Sequence, residues 1–173
     1  QANYYYFTGS PDLTWTQENS MIPIFSFTEL RFIEAEARFH LGEDSDAIRG
    51  ALSQALQSSF SSTSGITVEA LSYIDTAVDL QGLTQEQVHG RIMNEAYKAY
   101  YGYSHLQSWN NYRRTGYPQI SSTANGPNTN NLSNIVPRRV LYPSSELELN
   151  SENVSIAINR QNGAKLDNRM WLY

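Results

Sequence analysis

Apolar positions Leu30, Ile33, Ala37 and Leu41 recur at steps of three, four and four. That period predicts an amphipathic helix from about Phe27 to Leu41, with Ser26 or Thr28 as its N-cap and Gly42 as the residue that ends it. Asp44 or Ser45 can open a second helix, in which Ile48, Leu52, Ala55, Leu56 and Phe60 keep the period until the breaker cluster Ser61–Gly65. Only Gly42 and Glu43 connect the two, so they are expected to form an antiparallel helical hairpin. A third helix is expected from Val68 to Leu80, capped by Thr67, with Leu71, Ile74 and Val78 inward and Gly82 beyond its end. Thr84–Gln–Glu–Gln87 reads as a capping box opening a long helix through Val88, Ile92, Ala96, Ala99, Tyr103, Leu106 and Trp109. Carried to Arg114, that helix would be about 45 Å long at 1.5 Å per residue.

The pattern changes past Gly116. Residues 121–134 are rich in Asn, Ser and Thr with almost nothing apolar, which predicts a surface loop. Val136–Leu141 is expected as a short strand, and Glu146 and Glu148, alternating with Leu147 and Leu149, as a strand or turn edge. Asn150 or Ser151 can cap a last helix through Val154, Ile158 and Arg160 to Gly163. Gln1–Pro23 is aromatic and polar without a period, and is expected to be extended or looped. Two hairpins, 27–63 and 67–114, have the size and order of tandem helical repeats, although no repeat signature is shared.

Composition narrows the function classes. The 173 residues suit one domain with a sizeable core. Charged residues make up 17%, so much of the polarity rests on uncharged Asn, Ser, Gln and Thr, which suits a surface meeting neutral polar ligands. A net charge of −5 with no basic run longer than Arg–Arg lacks the footprint of a nucleic-acid binder. The absence of cysteine removes disulfides, thiol catalysis and thiolate metal sites. No apolar run approaches the ~18 residues of a membrane-spanning helix, and Gln1–Tyr4 lacks the pattern of a secretion signal.

Candidate chemistry is sparse. Glu34 and Glu36, and Glu146 and Glu148, are carboxylate pairs of the kind used in glycoside hydrolysis, but residues two apart on a helix do not face each other. His40, His89 and His105 show no close partner at metal-ligand spacing, so no metal or cofactor is expected. No strained Gly-x-Ser-x-Gly turn and no phosphate-binding glycine loop is present.

The aromatic residues carry more. Tyr97, Tyr100 and Tyr101 share a helical stripe expected to be inter-helix core, and Trp109 falls on the apolar face. Tyr4, Tyr5, Tyr6, Phe7 and Trp15 instead sit among Thr, Gly, Ser, Pro and Asp, with no helical face to bury them. An aromatic plane beside amide and carboxylate side chains suits the apolar C–H face and the hydroxyls of a sugar ring. Trp15, Tyr5 and Tyr6 are therefore the candidate ligand-binding residues, against the ordinary alternative that the segment packs on the helices. Arg113, Arg114, Arg138 and Arg139 could clamp an anion; the simpler expectation is that they tie the end of the long helix to the following strand through carbonyls and carboxylates such as Glu146.

Three stretches carry a resemblance. Phe27–Thr–Glu–Leu–Arg–Phe–Ile–Glu–Ala–Glu–Ala37 with Gly42, then Ser108–Trp–Asn–Asn–Tyr–Arg–Arg–Thr–Gly–Tyr–Pro118, then Pro137–Arg–Arg–Val–Leu–Tyr–Pro143, in that order, resemble the C-terminal part of the SusD/RagB family, in its SusD-like, starch-binding-associated branch. The likeness runs from about Phe27 to Trp171. It implies an all-α, tetratricopeptide-like domain with irregular flanks: helical hairpins over 27–116, then loop, short strand and terminal helix over 117–173. It also implies a non-catalytic surface receptor of Bacteroidetes that captures oligosaccharide or polysaccharide and partners a TonB-dependent outer-membrane transporter, with no cofactor. A peptide-binding receptor of the same family, or a helical-repeat protein-interaction domain, is the alternative. Members are commonly much longer and begin at a lipid-modified cysteine, so 1–173 is expected to be the C-terminal portion of a longer protein whose lipid anchor at the outer membrane lies outside this chain. The matching motifs are expected to be scaffold, because much of the family's glycan site comes from upstream segments.

Overall fold

The computed structural model describes residues 23–63, 65–120 and 126–168. Its elements are α1 (Phe27–Leu41), α2 (Ser45–Thr63), α3 (Val68–Ala77), α4 (Gln85–Ala99), α5 (His105–Thr115), α6 (Ser144–Leu149) and α7 (Ser151–Arg160). No strand forms among the described residues; the only pairing is an isolated antiparallel bridge between Asn128 and Asn131. The protein is all-α, as the family resemblance implies. Two compact units divide it, 1–111 and 112–173, with the boundary inside α5.

Local signals set most helix ends in the first unit. Ser26 Oγ accepts from the Glu29 N–H at 3.0 Å, satisfying one of the donors left over at the start of α1. At the other end Gly42 adopts φ 71°, and the N–H groups of Gly42 and Glu43 return to the carbonyls of Phe39 and Arg38, both at 3.0 Å. This crossed pair is a Schellman motif, whose left-handed residue favours glycine. Asp44 Oδ1 caps α2 through the Ala47 N–H at 2.8 Å, and Thr67 caps α3 through the Ala70 N–H at 3.2 Å. The Thr84/Gln87 capping box of α4 is complete in both directions, at 3.3 and 2.8 Å.

α1 and α2 form the expected hairpin, and α4 lies against both. The core gathers Phe32 and Ala35 of α1, Ile48, Ala51, Leu52, Ala55 and Leu56 of α2, Ile74 of α3, and Val88, Ile92, Met93 and Ala96 of α4. Phe32 meets Tyr100 edge to face, with ring centroids 5.8 Å apart. α3 packs on α2 and meets α4 through long side chains: Arg91 donates to the carbonyls of Thr76 and Ala77 at 3.2 and 3.1 Å.

Six expectations are corrected. The row Leu30, Ile33, Ala37, Leu41 of α1 faces outward, its three large members 44, 49 and 77% exposed. A second row at Thr28, Phe32, Ala35 and Phe39 also has helical spacing and lies about half a turn away. Both rows satisfy the period, and the one with the bulky Phe32 packs.

The long helix breaks after Ala99, because Gly102 takes φ 94° and the chain turns through Tyr100–Tyr103 before α5 begins. The tyrosine stripe is not a common core face: Tyr100 is buried, whereas Tyr97 within α4 and Tyr101 in the turn are exposed. α3 stops at Ala77, although Val78 and Leu80 beyond it remain buried.

In the second unit Val136–Leu141 is irregular, since Pro137 offers no N–H to a ladder and the buried Arg139 breaks any alternation. Segment 128–138 is instead held by scattered bonds. The Arg138 N–H donates to the Leu166 carbonyl and the Leu166 N–H to that of Asn130, both at 2.8 Å, while the Ser133 N–H and hydroxyl both donate to Asp167. Glu146 and Glu148 lie in α6, which carries Glu146 in its first turn, where the helix dipole favours an acid.

Candidate functional site

Glu95 lies on the apolar row of α4, three residues after Ile92 and four before Ala99, and is 4% exposed. A carboxylate at such a position is costly unless it is paired and hydrogen-bonded. It is both: the Tyr73 hydroxyl donates to Oε2 at 2.5 Å, and Lys98 Nζ reaches Oε1 at 2.7 Å. Lys98 also donates to the Tyr73 hydroxyl at 2.8 Å and stands 5.4 Å from the centre of its ring.

Burial, and then the bond to Glu95, push the Tyr73 phenol above its ordinary value. For Lys98, burial alone would favour the neutral amine, but the bonds to Glu95 and Tyr73 outweigh it and the ammonium is held more firmly than usual.

These groups line a cleft of about 220 Å³, whose remaining wall is Leu56, Ser59, Phe60 and Thr63 of α2 with Ala99 and Tyr101. Phe60 packs edge to face on Tyr73 at 5.7 Å, and Tyr101 is 69% exposed at the rim. Aromatic faces thus stand beside a carboxylate, an ammonium and two hydroxyls, a set that can grip an uncharged polyol by stacking and hydrogen bonding. The volume is below the ~300–1,000 Å³ of pockets that enclose a drug-sized ligand, so the cleft can seat one ring of a longer chain lying over the surface. Among the described residues one carboxylate, Glu95, lines it, where hydrolysis of a glycoside uses two.

A second polar group fixes the start of α1. The buried Glu29 carboxyl is held by the Ser26 backbone and Gln107, and burial raises it above the usual carboxylate range. Tyr103 is raised too, chiefly by burial, beside Ser26, Glu29 and Thr28.

The candidates read from sequence fare unevenly. Trp15, Tyr5 and Tyr6 lie outside the described residues. Glu34 is tied to Arg31 and Arg38, and Glu146 to the Asn150 amide, so neither carboxylate pair converges. Arg139 is a structural tie, but to a different helix end and to neutral oxygens. It donates to Gln161 Oε1 at 2.7 Å and to the Gly163 and Val140 carbonyls at 3.3 Å, and sits over the Tyr142 ring.

Two of the three histidines, His40 and His89, do have close partners. His89 Nε2 lies 3.2 Å and His40 Nε2 3.5 Å from Glu36 Oε1, which corrects the expectation of no ligand-like grouping. The cleft residues Phe60, Tyr73, Glu95, Lys98 and Tyr101 were missed in the sequence; a charge on the apolar row of α4 was the available signal.

Comparison with known proteins agrees with this architecture. A structure search matches a SusD homolog from Bacteroides uniformis at a TM-score of 0.60 and 23% identity, covering 83% of this chain and 35% of that one. The chain thus spans about a third of that relative. A search of curated proteins returns no match. The family model for SusD-like proteins, described as starch-binding associating with outer membrane, matches residues 2–143. The chain belongs to the SusD-like family.

Proposed function

We propose that this chain is a non-catalytic, glycan-binding part of a surface receptor at the outer membrane, and that the α2–α3–α4 cleft seats a sugar ring. The observation that carries the reading is the pairing of exposed Tyr101 and Tyr73 with a buried, hydrogen-bonded carboxylate in one concavity. Family membership supplies the ligand class, a starch-like glycan. The physics is stacking on the tyrosine faces plus hydrogen bonds between sugar hydroxyls and the Ser59 and Thr63 hydroxyls, with the Lys98 ammonium donating to a sugar oxygen, and no bond made or broken. Trp15, Tyr5 and Tyr6 remain proposed as further stacking residues, and a TonB-dependent transporter as the membrane partner.

Isothermal titration of the chain with maltooligosaccharides and with unrelated glycans tests this. Binding that falls at least tenfold in Tyr101→Ala and moderately in Tyr73→Phe, with helix content unchanged, is expected. Binding untouched by both but lost in Trp15→Ala would move the site to the N-terminal aromatics, and no binding to any glycan would overturn the receptor reading. The outward apolar row on α1 favours a second reading, a protein-interaction surface. Its test is co-purification of a transporter with wild type but not with Ile33→Glu.

A further inference from the structure

Glu36 and His40 stand four residues apart on α1, so they share one side of that helix. α4 packs against α1 and brings His89 to the same point. One carboxylate oxygen, Glu36 Oε1, lies 3.2 Å from His89 Nε2 and 3.5 Å from His40 Nε2, and the three ligand atoms fall within 4.8 Å of one another. In a tetrahedral zinc site with metal–ligand bonds of ~2.0–2.1 Å, neighbouring ligand atoms are about 3.3 Å apart. Two of the three edges therefore already have the length that a bound ion requires. The third lies within 4.8 Å, and His40, whose side chain is 58% exposed, has room to turn toward the length an ion requires.

The other two ligands are held in place. The Glu36 and His89 side chains are only 12 and 18% exposed, and the Phe39 ring stacks on the His89 imidazole at 5.1 Å with the planes 8° apart. A plain Glu–His hydrogen bond needs one imidazole. Here two imidazole nitrogens from different helices converge on the same oxygen, one of them pinned by an aromatic ring.

We infer that Glu36, His40 and His89 form a site for a divalent transition-metal ion, best suited to zinc, with three protein ligands and a fourth position open to water. Imidazole and carboxylate are ligands that zinc, nickel, cobalt and copper accept, whereas calcium and magnesium take oxygen sets. Because the ligands come from α1 and α4, the ion would staple the two helices and stabilise the folded unit by mass action. The site is separate from the cleft and independent of the glycan reading.

The test uses the whole chain, stripped with chelator and titrated with zinc chloride by calorimetry, with cobalt(II) as a spectroscopic probe. One equivalent of saturable binding, a tetrahedral cobalt spectrum and a higher melting temperature with zinc are expected. His40→Ala, which removes an exposed side chain and leaves the core intact, should weaken affinity at least tenfold. His89→Gln, which keeps a hydrogen-bonding group beside Glu36, should do the same, and His105→Ala should change nothing. Absence of saturable binding overturns the proposal. So does zinc affinity in His40→Ala and His89→Gln equal to that of wild type.

Discussion

At the residue scale, the groups that decide most are charged side chains placed where water is scarce. Glu29 is one, and its sign can be worked out. Burial raises its carboxyl above the usual value of 4.5, outweighing the Ser26 and Gln107 bonds. The folded state therefore holds this proton more tightly than the unfolded chain does. Its contribution to stability is full below the unfolded value and is lost as pH rises through the folded one. Glu29→Gln should accordingly be more stable than wild type at pH 7, with the gap closing as the pH is lowered through the carboxylate range. Urea unfolding of both proteins at a series of pH values checks this, and a gap that widens on acidification would refute it.

Glu95 lies on the same axis of argument with the opposite solution, since it keeps a phenol and an ammonium as partners. Both residues were visible in the sequence only as acids on helices. What each carboxylate meets depends on Gln107 or Tyr73, residues far along the chain. The same limit hid the His89 contact with Glu36, although Glu36 and His40 were already a readable pair at helical spacing.

At the scale of elements, signals confined to one turn were legible and signals needing a neighbour were not. Ser26, Gly42, Thr67 and the Thr84/Gln87 box act within four residues, and each caps the helix end it predicts. The strand expected at Val136–Leu141 needed a partner that a single peptide segment cannot reveal. The break after Ala99 was local, and its signal was Gly102, overridden by an apolar period that continues through Tyr103 and Leu106. Gly102 at φ 94° is the residue that lets the chain leave α4. A side chain there is strained, by roughly 1–2 kcal/mol for a left-handed residue. Gly102→Ala should lower stability by about that amount. If instead it stabilises the protein, the alanine has fused α4 and α5 into the continuous helix that the period alone predicts, and circular dichroism with thermal melting separates the two outcomes.

At the scale of the whole molecule, the two faces of α1 make the clearest quantitative contrast. Leu30, Ile33 and Leu41 are apolar and exposed, next to Ile24, Phe25 and Phe27, which are exposed as well. Exposed apolar side chains draw dyes and other molecules, whereas the opposite row is closed against α2, α4 and Tyr100. Replacing Leu30, Ile33 and Leu41 together by Gln should leave stability within about 0.5 kcal/mol per site, because little packing is removed. The same variant should bind markedly less of a hydrophobic fluorescent dye and self-associate less in sedimentation. Phe32→Ala, four residues or fewer from all but Leu41, should cost about 3–5 kcal/mol, since it opens a cavity in a packed core. A triple variant that unfolds while Phe32→Ala stands would mean that α1 is rotated by half a turn. That rotation would also carry Glu36 and His40 away from His89, so the dye and unfolding measurements bear on the metal site before any ion is added.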